Sequence, residues 1–224
     1  MKKLSIKEIV EFRGKSDRSK KNFANEVKLN KEKIQTESGG DYWVSCLSAI
    51  SSGYKANDVL LITARRLELE NKHDATDFNR TKTMYERNIS ILRNYEDFNF
   101  KVWMPINELK FMKKAKKNYL LTIKGFLIQV APQHVFTFQQ NDVNEVGAIW
   151  FIAKLKGFKE DELGMFTDIL YRYLTANFKD YTVNSKYCIA VDVFSSKYVN
   201  YFQLESREIP KILDSTLNAI KALM

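Results

Sequence analysis

The chain has 224 residues, 45% of them hydrophobic and 13% aromatic, with only 3 Pro and 8 Gly. This composition excludes a disordered or collagen-like chain and leaves little room for long linkers. The net charge of +9 favours anionic partners, and its excess is local: residues 1–36 hold 11 Lys and Arg against 5 Asp and Glu, and residues 101–124 hold 7 Lys against Glu108 alone.

The first hundred residues read as helices. In "SIKEIVEFR", Ile6, Ile9, Val10 and Arg13 fall on one stripe, and "SDRSKKNFANEVKLNKEKI" carries a thin apolar face of Phe23, Val27 and Ile34. Gly39 and Gly40 in "ESGGD" break the pattern. Asp41 is then a candidate N-cap for a helix with Trp43, Cys46, Leu47, Ile50 and Tyr54 on its inner stripe. Asn57 or Asp58 caps "VLLITARRLELENK". "DATDFNRTKTMYERNISILRNYEDF" extends as a long helix with Tyr85, Ile89 and Leu92 inward, and His73 is expected in a polar loop before it.

The period then changes from 3.6 to 2. "NYLLTIKG" (118–125), "FLIQVAPQHVFTFQQ" (126–140) and "GAIWFIAKLKG" (147–157) are rich in β-branched and aromatic residues, separated by a tight "KGF" junction and the polar turn "QNDVNE". An antiparallel meander is the simplest arrangement. "KEDELGMFTDILYRYLTANF" (159–178) is an amphipathic helix. "YTVNSKYCIAVDVF" (181–194) is a strand with Cys188, Ala190 and Asp192 on one face and Ile189, Val191 and Val193 on the other. "KYVNYFQLE" is a candidate further strand, and "REIPKILDSTLNAIKALM" a closing helix. The predicted fold class is α+β: a helical region over 1–100, then an antiparallel or mixed sheet flanked by helices over 101–224 in the order β-β-β-α-β-β-α, the two packed together.

A helix, three strands, a helix and a fourth strand resemble the core of the PD-(D/E)XK, or restriction-endonuclease-like, superfamily over roughly residues 80–194. In that family an acid begins the second strand and an acid-x-lysine sits on the third, because only residues i and i+2 share a face. Two carboxylates hold a divalent metal such as Mg²⁺, and the lysine orients or activates water. Here "PQHVF" (132–136) takes the place of the first motif and "IAK" (152–154) of the second. Lys154 matches; the acidic positions are Gln133 or His134 and Ile152. If the chain is catalytic, the resemblance implies Lys154 near the scissile phosphate, with Asp192 or Glu86 as the metal-binding acid.

Each candidate has a plainer role. Lys154 and Lys156 at a strand end emerge into solvent, and Asp192 is either a buried carboxylate needing partners or a strand-end acid. His134 in an apolar strand is a satisfied core histidine. No zinc spacing, nucleophile elbow or phosphate-binding glycine loop is present. Cys46 and Cys188 lie in apolar surroundings and read as reduced core residues, which fits a cytoplasmic protein. No membrane span is expected, since no apolar run approaches about 18 residues.

Two lysine-rich stretches are candidate phosphate contacts: Arg18, Lys20 and Lys21 in the first, and Lys113, Lys114 and Lys117 in the second. The expectation is a DNA- or RNA-associated protein with an altered or absent metal site. The alternative is a non-enzymatic subunit of a larger intracellular assembly, docking a protein partner or a second copy of itself.

Overall fold

A computed structural model describes residues 3–30, 42–112 and 120–224. Strand β1 (Leu4–Ser5) leads into α1 (Ile6–Arg13), followed by α2 (Asp17–Lys28), α3 (Val44–Ala56), α4 (Leu60–Asp74) and α5 (Asn79–Arg93). After a 3-10 turn at Phe100–Trp103 come β2 (Lys110–Phe111), β3 (Leu120–Ile123), β4 (Phe126–Gln129), β5 (His134–Gln140) and β6 (Val143–Ile152). Helix α6 (Glu160–Asn177), β7 (Thr182–Asp192), β8 (Lys197–Asn200), α7 (Tyr201–Glu205) and α8 (Leu213–Ala222) complete the chain. The fold is α+β, with helices flanking two mixed sheets.

The main sheet runs β2-β5-β6-β7-β8, antiparallel throughout except for the β6–β7 pair, which is parallel because α6 carries the chain back across. Both faces are covered. Val146, Ala148, Trp150 and Ile152 of β6 pack with Cys188 and Ala190 against α1, α2, α6 and α8, while Ile149, Phe151 and Ala153 pack with Ile189, Val191 and Val193 against α3–α5. Burial on both faces is why β6 reads as a continuous apolar run. The split of the β7 side chains follows the predicted alternation residue by residue.

The antiparallel meander is corrected. The predicted strand 126–140 is two strands in different sheets. β4 pairs with β3 and, in parallel, with β1, whereas β5 pairs with β2 and β6. The break falls at Val130–Gln133, where Pro132 has no N–H to give a ladder. The first strand of the main sheet is therefore β2, not 118–125.

The turn predicted over "QNDVNE" narrows to Asn141–Asp142, both at positive φ (50° and 60°), so β6 begins four residues before the predicted 147 and ends at Ile152. Two-residue turns with both central residues left-handed match the twist of a hairpin; Lys124–Gly125 makes the same connection between β3 and β4. His73, predicted in a loop, lies in the last turn of α4. There its ring nitrogens hydrogen-bond Asp74 (2.9 Å) and Glu86 of α5 (3.2 Å). "KYVNYFQLE" is a strand only to Asn200, whose side chain caps α7 in a capping box with Gln203.

Candidate functional site

The start of β5 and the end of β6 lie side by side, His134 opposite Ile149. Two places further along that register, Pro132 would face Phe151 but has no N–H to offer. The Gln133 carboxamide takes over the pairing: its Nε2 donates to the Phe151 carbonyl (3.0 Å), and its Oε1 accepts from the Phe151 N–H (2.7 Å). Gln133 is thus a side-chain extension of the ladder, with both halves of the amide engaged.

Beyond this point a cleft of about 400 Å³ opens where the two sheets meet the first turn of α3. Its walls are Ser5, Ile6 and Lys7 on one side and Trp43, Val44 and Leu47 on the other. Trp150 to Ala153, Phe158 and Phe166 form the floor. The α3 wall is held by Asn88 of α5, which is 1% exposed: its Oδ1 accepts from the Cys46 N–H (3.0 Å) and its Nδ2 donates to the carbonyls of Tyr42 and Met84. Tyr42 is pinned further by Arg87, which donates to its hydroxyl at 2.8 Å, and Trp43 meets Tyr42 edge-on at 4.7 Å. Burial pushes the neighbouring Cys46 thiol up to about 12, so it stays protonated. Cys46 and Cys188 are both buried and free.

Lys154 follows β6 and stands beside the floor of the cleft. Its ammonium pairs with Glu162 of α6 (2.9 Å) and lies 4.6 Å from the centroid of the Phe158 ring. Glu162 Oε2 also accepts from the Lys159 N–H at the start of α6. The turn that carries Lys154 into α6 is closed by the Gly157 N–H donating to the Lys154 carbonyl.

Asp192, at the end of β7, is fully buried. Its Oδ2 accepts from the Phe158 N–H (2.9 Å) and the Ser195 hydroxyl (2.6 Å), and its Oδ1 from the Phe194 N–H (3.1 Å). Glu86 is on the outer side of α5, bonded to His73. Lys154, Asp192 and Glu86 are therefore held by three different sets of partners: Lys154 by Glu162, Asp192 by the turn before α6 and the β7–β8 connection, and Glu86 by α4.

These residues do not fit a divalent metal. The Gln133 oxygen is engaged by Phe151, Ile152 offers no donor, and the Asp192 oxygens take three hydrogen bonds. Among the described residues no group of three or more His, Cys, Asp or Glu side chains is placed to hold a metal ion. His134 is satisfied, its Nε2 within 2.8 and 2.9 Å of the Ser51 hydroxyl and carbonyl, and its ring stacks on Tyr54.

On α2, Arg18 and Lys21 are exposed and form no ion pair among the described residues, whereas Lys20 lies 5.9 Å from the Phe12 ring centroid. Lys113, Lys114 and Lys117 lie outside the described residues. The sequence did not reveal the roles of Asn88, Gln133 or Trp43. An Asn inside a helix and a Gln after Pro have no distinctive spacing, and Trp43, which the helical spacing assigns to an inner stripe, is half-buried at the helix start.

Among the described residues no helix is long and apolar enough to cross a membrane. Comparison with protein-family models, curated proteins and solved structures finds no match to this chain.

Proposed function

We propose that this protein binds nucleic acid through a restriction-endonuclease-like sheet whose metal position has been given over to structure. The observation that carries the reading is the junction of β5 and β6. With β2 taken in place of the 118–125 strand and the β3–β4 pair set apart in the other sheet, the succession α5, β2, β5, β6, α6, β7 is compatible with the arrangement the resemblance implies, and the β5–β6 pairing puts "PQH" and "IAK" at neighbouring strand ends. Gln133 there spends its amide on Phe151 and Lys154 its charge on Glu162, so the reading assigns binding and no metal-dependent cleavage.

Exposed Arg18 and Lys21, one helical turn apart on α2, supply phosphate contacts. The two buried thiols and the lack of a spanning helix among the described residues favour a place in the cytoplasm.

The test is fluorescence anisotropy of labelled DNA and RNA oligonucleotides across a salt series. Binding that weakens steeply with salt, a slope reduced by about two in the Arg18→Glu/Lys21→Glu variant, and oligonucleotides left intact with Mg²⁺ are expected. A salt-independent or absent signal at low salt removes the reading.

A second reading has its own support. Helix α4 exposes Leu60 (71%) and Leu67 (49%) two turns apart, and Phe78 before α5 is 77% exposed. Such side chains suit a protein-docking face, as in a subunit of a larger intracellular assembly or a homo-oligomer. A mass above the monomer by light scattering, reduced by Leu60→Glu, would favour it.

A further inference from the structure

We propose that the aromatic cleft at the β5–β6 junction is the seat of an unpaired nucleobase, so that the protein prefers single-stranded or frayed ends to intact duplex. The inference rests on the nucleic-acid reading and deepens it.

Size and lining choose the ligand class. A volume of about 400 Å³ falls within the range of about 300–1,000 Å³ typical of small-ligand sites and suits one nucleotide better than a helix or strand of a partner. The stacking surface offered is that of half-buried Trp43, a planar group that accepts the face of a base whatever its identity; Trp150 and Phe158 also line the cleft but are 8% and 7% exposed.

Few polar groups on the lining are open to a ligand. The Gln133 amide is spent on Phe151, and the Ser5 hydroxyl accepts from the Glu8 N–H as the α1 cap, so neither reads the Watson–Crick edge, which leaves Gln129 as the exposed amide on the lining. An uncharged apolar ligand would have no use for exposed Lys7 on the wall. The phosphate of a nucleotide would, Lys154 being already paired with Glu162.

The platform is built in advance. Asn88 ties Tyr42, just before Trp43, and Cys46, three residues after it, to α5, so stacking does not have to order the α3 wall at the moment of binding. A duplex hides the faces of its bases, and this cleft is too small for a base pair. Single strands and unpaired ends are the form that fits.

The experiment uses the full chain, a 12-nucleotide oligo(dT) and a 12-base-pair duplex. Titrating oligo(dT) into the wild-type protein should quench the tryptophan emission, because Trp43 and Trp150 line the cleft while Trp103 is in the core. This measurement needs no variant. By anisotropy, oligo(dT) should bind more tightly than duplex. Trp43→Ala should weaken oligo(dT) binding about 5- to 150-fold, the range for one stacked base, while Trp43→Phe stays close to wild type.

Oligo(dT) binding with unquenched tryptophan, or binding unchanged in a folded Trp43→Ala protein, overturns the base site. If binding is still lost on Arg18→Glu/Lys21→Glu, the nucleic-acid reading stands without it. No binding of either oligonucleotide by wild type at low salt overturns both.

Discussion

Gly157 and Asp192 are matched to each other across the end of the sheet. Gly157 sits at φ +73°, and a Cβ built there would stand 2.6 Å from the Asp192 Oδ2. The carboxylate fills the space that a side chain at 157 would need, and from it collects the Phe158 N–H just before α6. The glycine that closes the sequence "IAKLKG" is a packing requirement of the buried acid.

Gly157→Ala is therefore expected to destabilise by about 2 kcal/mol or more, from the left-handed backbone alone plus displacement of the carboxylate. Asp192→Asn, close to an isostere, puts an NH₂ where only donors point, and should lose about 2–3 kcal/mol. Urea denaturation midpoints check both. An Asp192→Asn protein as stable as wild type would return Asp192 to the list of free functional acids.

Gln133→Ala leaves the N–H and carbonyl of Phe151 without their partners at the last rung of β6. A loss of about 1–3 kcal/mol is expected, together with faster amide exchange at Phe151 than at Ile149, whose strand partner is retained. Exchange measured by NMR separates this local opening from global destabilisation.

Arg172 of α6 holds Asp168 through Nε and Nη2 (2.8 and 3.0 Å) and Asp214 of α8 through Nη1 and Nη2 (3.0 and 3.1 Å). The Asp168 side chain is 2% exposed. Arg172→Ala abandons a buried carboxylate and should cost about 3–5 kcal/mol. Removing both partners in Arg172→Met/Asp168→Leu should restore much of it, and a thermal or chemical melt of the two variants decides.

His73 is held above its ordinary value by its hydrogen bonds to Asp74 and Glu86. A raised folded-state value means that the protonated ring stabilises the α4–α5 hairpin fully below about pH 6.5, and that this contribution fades as pH rises through the raised value. The difference in melting temperature between wild type and His73→Gln should accordingly be largest near pH 5.5 and shrink toward pH 8.5. A difference independent of pH would contradict it.

The helices and the two-faced sheet were legible because they rest on periodicity. Cys188, Ala190 and Asp192 had to share a face once the segment was extended, and Ile189, Val191 and Val193 had to share the other. The splitting of 126–140 was legible only as Pro132, whose meaning depends on whether the strand beyond it continues in the same sheet. β1 consists of two residues, Leu4 and Ser5, whose pairing partners Ile128 and Gln129 are more than a hundred positions away, and no local pattern announces such a contact. The site was harder still. Lys154 stood out as a charge after an apolar run, yet its partner Glu162 lies in the first turn of another element, and Asn88 differs from any helical asparagine only through what faces it.

The parallel pairing of β6 with β7 also has a kinetic meaning. β5 and β6 are joined by two residues and can zip as a hairpin on the microsecond scale, whereas β7 reaches β6 only after α6 has been laid across the sheet. The order of assembly this implies is hairpin first and β7 late. Mutations in the β5–β6 hairpin should slow folding, and conservative truncations in β7, such as Val191→Ala, should mainly speed unfolding.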